Sequence, residues 1–167
     1  VAKSLSQQSH LMVEAGTGTG KSLAYLIPAI QWAWDNTTRI VVSTNTINLQ
    51  DQLVSKDLPA LKDVFEIPFR CALLKGRSNY VCPRRFINMR RRGPSDTVEV
   101  RMIAKLLVWL PKSESGDRTE ITLSGAKEKA VWQRISAEDE SCTKERCAEE
   151  EGVCPFYQAR EESESAH

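Results

Sequence analysis

Nine consecutive residues near the start of the chain have the side chains and the backbone freedom that a phosphate-binding loop needs. They are Glu14, Ala15, Gly16, Thr17, Gly18, Thr19, Gly20, Lys21 and Ser22. Glycines let the backbone curl so that successive N–H groups face an anion, and a following helix adds its positive N-terminal end. Lys21 would reach the β- and γ-phosphates, and the Ser22 hydroxyl would hold Mg²⁺. The pattern predicts a nucleotide-binding loop.

Ala15 departs from the general pattern of such loops, which has glycine at this position. The alternative is a glycine-rich connector that happens to precede Lys-Ser. A short apolar run at residues 11–13 and a helical pattern at residues 23–27 flank the loop. Strand, glycine-rich turn and helix in this order are the setting that a phosphate loop requires, so they favour the nucleotide site.

A second candidate site consists of four cysteines in the charged second half of the chain: Cys82, Cys142, Cys147 and Cys154. Four residues separate the second from the third, and six separate the third from the fourth. Four thiolates can close a metal site that stabilises a small insertion. The spacing lacks the C-x₂-C pairs typical of zinc, which favours an iron–sulfur cluster over zinc; unrelated buried thiols are the other alternative. Cys71 lies in an apolar run and is predicted to be a core residue.

Two stretches carry side chains suited to a nucleic-acid backbone. Residues 43–53 are rich in short polar side chains and follow a predicted strand at the edge where the phosphate loop lies, although a capped turn with a solvated face is the alternative. Residues 84–92 hold five arginines beside aromatic side chains, for which a solvated helix face is the alternative. The candidate contacts are Thr44, Asn45, Thr46, Asn48, Gln50, Tyr80, Arg84 and Arg85.

The elements that would position these residues read as alternating strands and helices in the first part of the chain. Strands are predicted at residues 10–15, 39–44 and 69–74, and helices at residues 21–36 and 47–56, with a kink or broken turn at Pro28. This alternation implies a parallel sheet with the ligand beyond the carboxyl ends of its strands. Further on, helices are predicted at residues 98–110, from Ser124 to about Ile135, and from Phe156 onward.

The overall composition is that of a globular protein without a membrane span. The chain has 167 residues, 41% of them hydrophobic and 27% charged, and a net charge of +1, so any nucleic-acid binding must come from local patches. No apolar run approaches the roughly 18 residues of a membrane span, and no signal peptide is present. We therefore expect a cytoplasmic protein with no membrane partner. Because the chain begins with Val1 and ends in an uninterrupted helical pattern, we expect it to be a piece of a longer protein.

Together these motifs resemble the DinG/XPD family of superfamily 2 DNA helicases, and its bacterial DinG-like branch in particular. The resemblance rests on residues 14–22 as motif I, 42–53 as the DNA-contacting motif Ia, 74–83 as the beginning of the cluster domain, and Cys142, Cys147 and residues 154–157. It implies an ATP-dependent 5′→3′ helicase with a [4Fe–4S] domain inserted in its first RecA-like motor domain. By position, Lys21 and Ser22 would bind the phosphates and Mg²⁺, the four cysteines would bind the cluster, and residues 44–50 would touch single-stranded DNA.

The resemblance also implies an architecture and a set of partners. The fold would be α/β, a partial RecA-like parallel sheet (residues 1–77) with a mainly helical iron–sulfur insertion (78–158), after which residues 159–167 return to the motor domain. The cofactors would be ATP, Mg²⁺ and [4Fe–4S], and the partners single-stranded DNA and duplex junctions. No D-E-A-H-type box follows Ser22, so we expect these residues to bind nucleotide without turnover. The alternatives are a non-catalytic DNA-binding redox sensor and a P-loop NTPase with a zinc-binding insertion.

Overall fold

The computed structural model describes residues 1–137, 142–143, 145 and 153–166, and it divides the chain into two compact units. The first unit comprises residues 1–73 and 163–167, and the second residues 74–162. The α-helices with described bounds are α1 (Ala2–Ser6), α2 (Lys21–Asp35), α3 (Ile47–Gln52), α4 (Leu58–Val64), α5 (Pro83–Arg92), α6 (Thr97–Trp109), α7 (Gly125–Ile135) and α8 (Pro155–Ser165). None of these helices combines the length and the apolar character that crossing a membrane requires.

Helix α2 carries the core of the first unit, and it begins directly after the glycine-rich loop. Its buried face presents Leu26 and Ile30, four residues apart, to Leu53 and Leu61 of the segment that follows. Pro28 lies inside α2, which nevertheless continues to Asp35, so the predicted broken turn does not form. The predicted helix at residues 21–36 is otherwise confirmed.

The helical segment after residue 46 is longer and less regular than the sequence predicts. Thr46 caps α3, because its Oγ1 accepts a hydrogen bond from the Leu49 N–H at 3.3 Å. A π-helical stretch, Leu53–Asp57, then joins α3 to α4. The stretch buries Leu53 and α4 buries Leu61, so both contribute to the cluster beneath α2.

The three predicted strands are not formed in the described part of the chain. Residues 10–15, 39–44 and 69–74 have neither helical structure nor strand pairing. Met12 and Val41 are 97% and 83% exposed, whereas side chains of parallel strands are normally buried on both faces. A strand needs the backbone donors and acceptors of a neighbour, and none of the described segments lies alongside to supply them. The parallel sheet therefore remains a prediction.

Cys71, in the third of these segments, is exposed, so the prediction that it is a core residue is wrong. The error has the same origin as the missing strands. An apolar run is buried only where another layer covers it: Phe69 of this run packs on the cluster beneath α2, whereas Cys71 is left exposed.

The second unit is built on α5, α6 and α7, which pack around a shared apolar core. Its most deeply buried members include Met102 and Leu106 of α6 and Trp132 of α7, and the Trp109 and Trp132 rings meet edge to face at 6.0 Å. The predicted helices at residues 98–110 and 124–135 are confirmed within one residue at each end. Isolated bridges join Tyr80 to Asp117 and Val81 to Ser136, which fixes the chain entering α5 against the later loops.

A fully buried carboxylate, Glu99, connects the three helices of this core. It accepts hydrogen bonds from Arg92 at the end of α5 (2.8 Å) and from the Ser95 N–H (2.8 Å), and it forms an ion pair with Arg134 of α7 at 2.6 Å. The hydrogen bonds from the Ser95 N–H and side chain, together with Arg92 and Arg134, outweigh the effect of burial and lower the pKa of Glu99 to about 2. Such a charge is tolerated in a core only because it is paired and hydrogen-bonded.

The low pKa of Glu99 predicts an acid-sensitive second unit. A carboxylate whose pKa is depressed by folding stabilises the folded state above its ordinary pKa of 4.5 and loses that contribution as the pH falls towards 2. We expect a loss of about 1–2 kcal/mol, since the half-exposed arginine partners are partly screened by solvent. Denaturant unfolding followed by tryptophan fluorescence between pH 7 and pH 2 measures it. Glu99→Gln should make the free energy of unfolding less dependent on pH, whereas Glu114→Gln, at an exposed site, should leave that dependence unchanged. If both variants show the same pH dependence, Glu99 is not the cause of the acid sensitivity.

Candidate functional site

The glycine-rich loop has the backbone conformation that a phosphate cradle requires. Gly18 and Gly20 have φ of +77° and +78°, values that residues with a Cβ rarely adopt. Gly20 is the N-cap residue directly before α2. A Cβ built at either glycine would meet no atom within 4 Å. Glycine is therefore needed here for its dihedral angles and not because the loop is crowded.

The side chains of the loop hold its shape and place a positive charge over it. The Lys21 Nζ donates hydrogen bonds to the carbonyl oxygens of Ala15 (2.7 Å) and Gly16 (2.5 Å), and the Thr19 Oγ1 donates to Gly16 at 2.9 Å. Residues 15–21 are exposed, and Ser22 is half-buried on the first turn of α2. An ammonium group and the start of a 15-residue helix thus lie at one accessible loop, which suits a polyphosphate.

In the second unit, three of the four predicted cluster ligands are buried and unoxidised: Cys82, Cys142 and Cys154. Burial raises the pKa of the Cys154 thiol, against hydrogen bonds from the Tyr157 and Phe156 N–H groups, and the charges of Cys142 and Cys82 raise the pKa further. Cys82 and Cys154, which are 72 positions apart in sequence, both lie in the second unit. Cys147 lies outside the described residues.

Backbone contacts hold these cysteines in place. The Cys82 N–H donates to the Ile135 carbonyl at the end of α7 (2.8 Å). The Cys142 carbonyl accepts hydrogen bonds from Arg77 (3.0 Å) and from the Tyr157 hydroxyl (3.2 Å). The Arg77 guanidinium also lies 4.7 Å from the centre of the Phe156 ring, directly after Cys154 and Pro155. These long-range contacts hold the segments that carry Cys82, Cys142 and Cys154 within the second unit.

The described residues contain no group of three His, Cys, Asp or Glu side chains arranged so that they could hold one metal ion. This finding concerns ligands that converge on a single ion. An iron–sulfur cluster binds each cysteine at a different iron atom, so its ligands are spaced more widely. The three buried free thiols remain candidate ligands of such a cluster.

The polar stretch after residue 43 forms a capped turn. The Thr44 Oγ1 donates to the Thr46 carbonyl at 3.1 Å, and the Thr46 side chain caps α3. Asn45 and Asn48 are exposed, and Gln50 is half-buried. The hydroxyls of this stretch are thus engaged with the local backbone, and the amide side chains at 45 and 48 are the accessible ones.

The structure changes which residues beside Cys82 are available to nucleic acid. Tyr80 is 2% exposed, its hydroxyl accepts a hydrogen bond from the Lys75 N–H (3.0 Å), and its ring packs on Phe156, so it has no free face for a base. The prediction that Tyr80 contacts DNA is therefore corrected: Tyr80 is a core residue, because α8 covers its ring.

The positive charge on α5 is most accessible at the C-terminal end of the helix. Arg84 and Arg85 are half-buried, and Arg85 donates to the Arg134 carbonyl at 3.4 Å, whereas residues 90–92 are exposed. Helical spacing alone did not reveal this difference, because it depends on where α7 packs. The exposed group also lies at the end of α5 where the helix dipole favours cations.

Comparison with known proteins gives consistent matches. Residues 1–85 match the sequence model of the family described as DEAD/DEAH box helicase. The chain is 36% identical over 159 residues to "3'-5' exonuclease DinG" of Bacillus subtilis, covering 95% of this chain and 16% of that protein. It is 36% identical to "ATP-dependent DNA helicase YoaA" of Haemophilus influenzae (88% and 22% covered) and 34% identical to "ATP-dependent DNA helicase DinG" of Escherichia coli (99% and 25% covered). The chain thus spans a quarter or less of the length of these relatives.

Proposed function

The chain belongs to the DEAD/DEAH box helicase family, and we propose that it supplies the ATP-binding loop of a DNA helicase whose hydrolysis cycle drives movement along single-stranded DNA. The observation that carries this proposal is the loop at residues 15–22, where left-handed glycines, the Lys21 ammonium and the start of α2 coincide. The names of the Haemophilus influenzae and Escherichia coli relatives support helicase activity for the intact protein. The 5′→3′ direction is proposed from the family resemblance.

The mechanism at this loop follows from what its residues touch. Lys21 would leave the carbonyls of Ala15 and Gly16 and turn to the β- and γ-phosphates of ATP, exchanging neutral acceptors for charged ones. The N–H groups at the start of α2 would bind the same phosphates. Ser22 would hold Mg²⁺, which when bound neutralises charge on the transferring phosphoryl group. These residues bind and orient the nucleotide, while activation of water requires carboxylates outside this set.

A [4Fe–4S] cluster held by Cys82, Cys142, Cys147 and Cys154 is part of the proposal. The fit rests on three buried free thiols and on the hydrogen bonds that fix Cys82 and Cys142. When bound, the cluster would cross-link segments that are distant in sequence and so make this unit rigid. A rigid unit of this kind would act as a wedge at a duplex junction.

The exposed arginines at the end of α5 are the proposed track for single-stranded DNA on this unit. Arg90 and Arg91 present two adjacent positive charges to solvent at the C-terminus of the helix, whereas the neighbouring Arg92 is paired with Glu99. Phosphate contacts of this type give affinity without sequence preference, which suits a protein that moves along DNA. Arg84 and Arg85, which are half-buried, would add positive charge to this surface. In the first unit, residues 44–50 would contact DNA through Asn45 and Asn48.

A second candidate activity comes from the Bacillus subtilis relative, whose name describes a 3'-5' exonuclease. A forked DNA with separate labels on the 3′ and 5′ ends distinguishes the two activities in the intact protein. Helicase action predicts ATP-dependent release of a strand of unchanged length. Shortening of the 3′-labelled strand without release would overturn the helicase proposal and support the nuclease.

A further inference from the structure

Gly116 occupies a narrow space between the two segments that carry Cys82 and Cys154. Its φ is +66°, and a Cβ at this position would lie 2.5 Å from the Pro155 Cγ and 2.6 Å from the Pro155 Cβ. The same Cβ would lie 3.5 Å from the Val81 Cγ1. Pro155 directly follows one predicted cluster ligand, and Val81 directly precedes another.

The loop that carries Gly116 is anchored on one side by its own hydrogen bonds. The Gly116 N–H donates to the Ser113 Oγ at 2.8 Å, and its carbonyl accepts from the Val81 N–H at 3.1 Å. The Glu120 carboxylate accepts hydrogen bonds from the Ser113 hydroxyl (2.6 Å) and from the Ser115 N–H (3.0 Å). These bonds fix the backbone on both sides of the glycine.

A buried ion pair anchors the other side of the loop. Asp117, the next residue, pairs with Lys75 at 2.7 Å, and both side chains are almost fully buried. Asp117 also accepts a hydrogen bond from the Thr119 N–H at 2.9 Å. Breaking a buried pair leaves an uncompensated charge, so the loop resists displacement. A side chain at position 116 would therefore be accommodated by moving Pro155 and the start of α8.

We propose that Gly116 is a positioning residue for the cluster, because the lack of a side chain there lets Pro155 approach the loop and sets Cys154 beside Cys82. This inference rests on the cluster assignment made under Proposed function. Gly116 would touch neither iron nor sulfide and would act only through the placement of the two cysteine segments. No sequence motif marks it, since its role depends on contacts across 39 positions of the chain.

The test compares Gly116→Ala with Gly125→Ala in the intact protein purified without air. Gly125 has a similar φ of +74°, but a Cβ there would meet no atom within 4 Å. Gly125→Ala therefore strains the backbone as Gly116→Ala does, but it makes no steric clash. The readouts are iron and labile sulfide per chain and the rate at which visible cluster absorption is lost in air. We expect Gly116→Ala to lose its cluster about tenfold faster than the wild type, the scale typical of residues that orient metal ligands, and Gly125→Ala to match the wild type.

A rescue variant separates positioning from a general loss of folding. Combining Gly116→Ala with Pro155→Gly removes both ring atoms that the new Cβ would meet, and it should restore cluster retention to that of Pro155→Gly alone. Circular dichroism and tryptophan fluorescence report the fold of each variant. Equal cluster loss in Gly116→Ala and Gly125→Ala, or failure of the rescue, would overturn the role of Gly116 while leaving the cluster assignment intact. A wild type without iron would overturn both.

Discussion

Replacing Lys21 with alanine is expected to reduce ATP-dependent unwinding by the intact protein at least about 100-fold, the scale typical of removing one preorganised donor from a charged transition state. Lys21 is exposed, and its ammonium lies over the carbonyls of Ala15 and Gly16. Truncation removes the charge that would bind the γ-phosphate, while the buried face of α2, around Leu26 and Ile30, stays as it is. The defect should therefore be one of binding and catalysis with little loss of stability.

Two measurements check this result. Titration with a fluorescent ATP analogue should show weakened binding for Lys21→Ala, and circular dichroism should show unchanged helix content. Lys3→Ala, at an exposed lysine of α1, is the matched control and should behave as the wild type. If Lys21→Ala unwinds DNA at the normal rate, the loop does not bind the nucleotide that drives unwinding.

The second large effect is expected at Cys154. Cys154→Ser should remove most of the iron and labile sulfide from the intact protein, because a hydroxyl is a poor replacement for a thiolate on iron. The loss of the cross-link should also loosen the segment around Cys142, whose carbonyl accepts hydrogen bonds from Arg77 and from Tyr157 of α8. We expect unwinding to fall with the cluster content.

The chain offers a matched control for this substitution. Cys71→Ser makes the same chemical change at an exposed cysteine of the first unit, so it should leave iron, sulfide and unwinding at wild-type values. Iron and sulfide assays on both variants, prepared side by side without air, give the comparison. Undiminished cluster content in Cys154→Ser would remove this residue from the ligand set.

Local chemistry in the sequence was sufficient to predict a glycine-rich loop in front of a helix and most of the helices. Glycine spacing before Lys21 predicted a loop that precedes a helix, and the structure has left-handed backbone at Gly18 and Gly20 with α2 following. The resemblance to DinG-like helicases is confirmed by the family match and by the relatives. These features depend on residues close together in the chain, where residue type and local backbone conformation act together.

Features that depend on tertiary partners were predicted less well. The β-branched run at residues 39–44 has the composition of a buried strand, but Val41 is exposed and the described residues supply no paired neighbour. Tyr80 beside the arginines suggested base stacking, whereas α8 buries its ring. Propensity describes what a segment can do, and packing decides whether it does so.

The contacts that organise the second unit have no local signature. Glu99 lies among apolar residues of α6 and pairs with arginines of α5 and α7, and Gly116 is one of eight glycines in the chain. Their roles become visible only when segments far apart in sequence are placed side by side. A buried charge and a crowded glycine are therefore properties that the structure adds to the sequence.

The most direct test of the account is an assay of metal and nucleotide on the intact protein purified without air. The proposed cluster site predicts about four iron and four labile sulfide per chain, as a [4Fe–4S] cluster requires. The proposed ATP-binding loop predicts ATP binding that Lys21→Ala weakens. A protein that holds zinc or no metal at these cysteines, binds ATP equally well with and without Lys21, and still unwinds DNA would contradict the account.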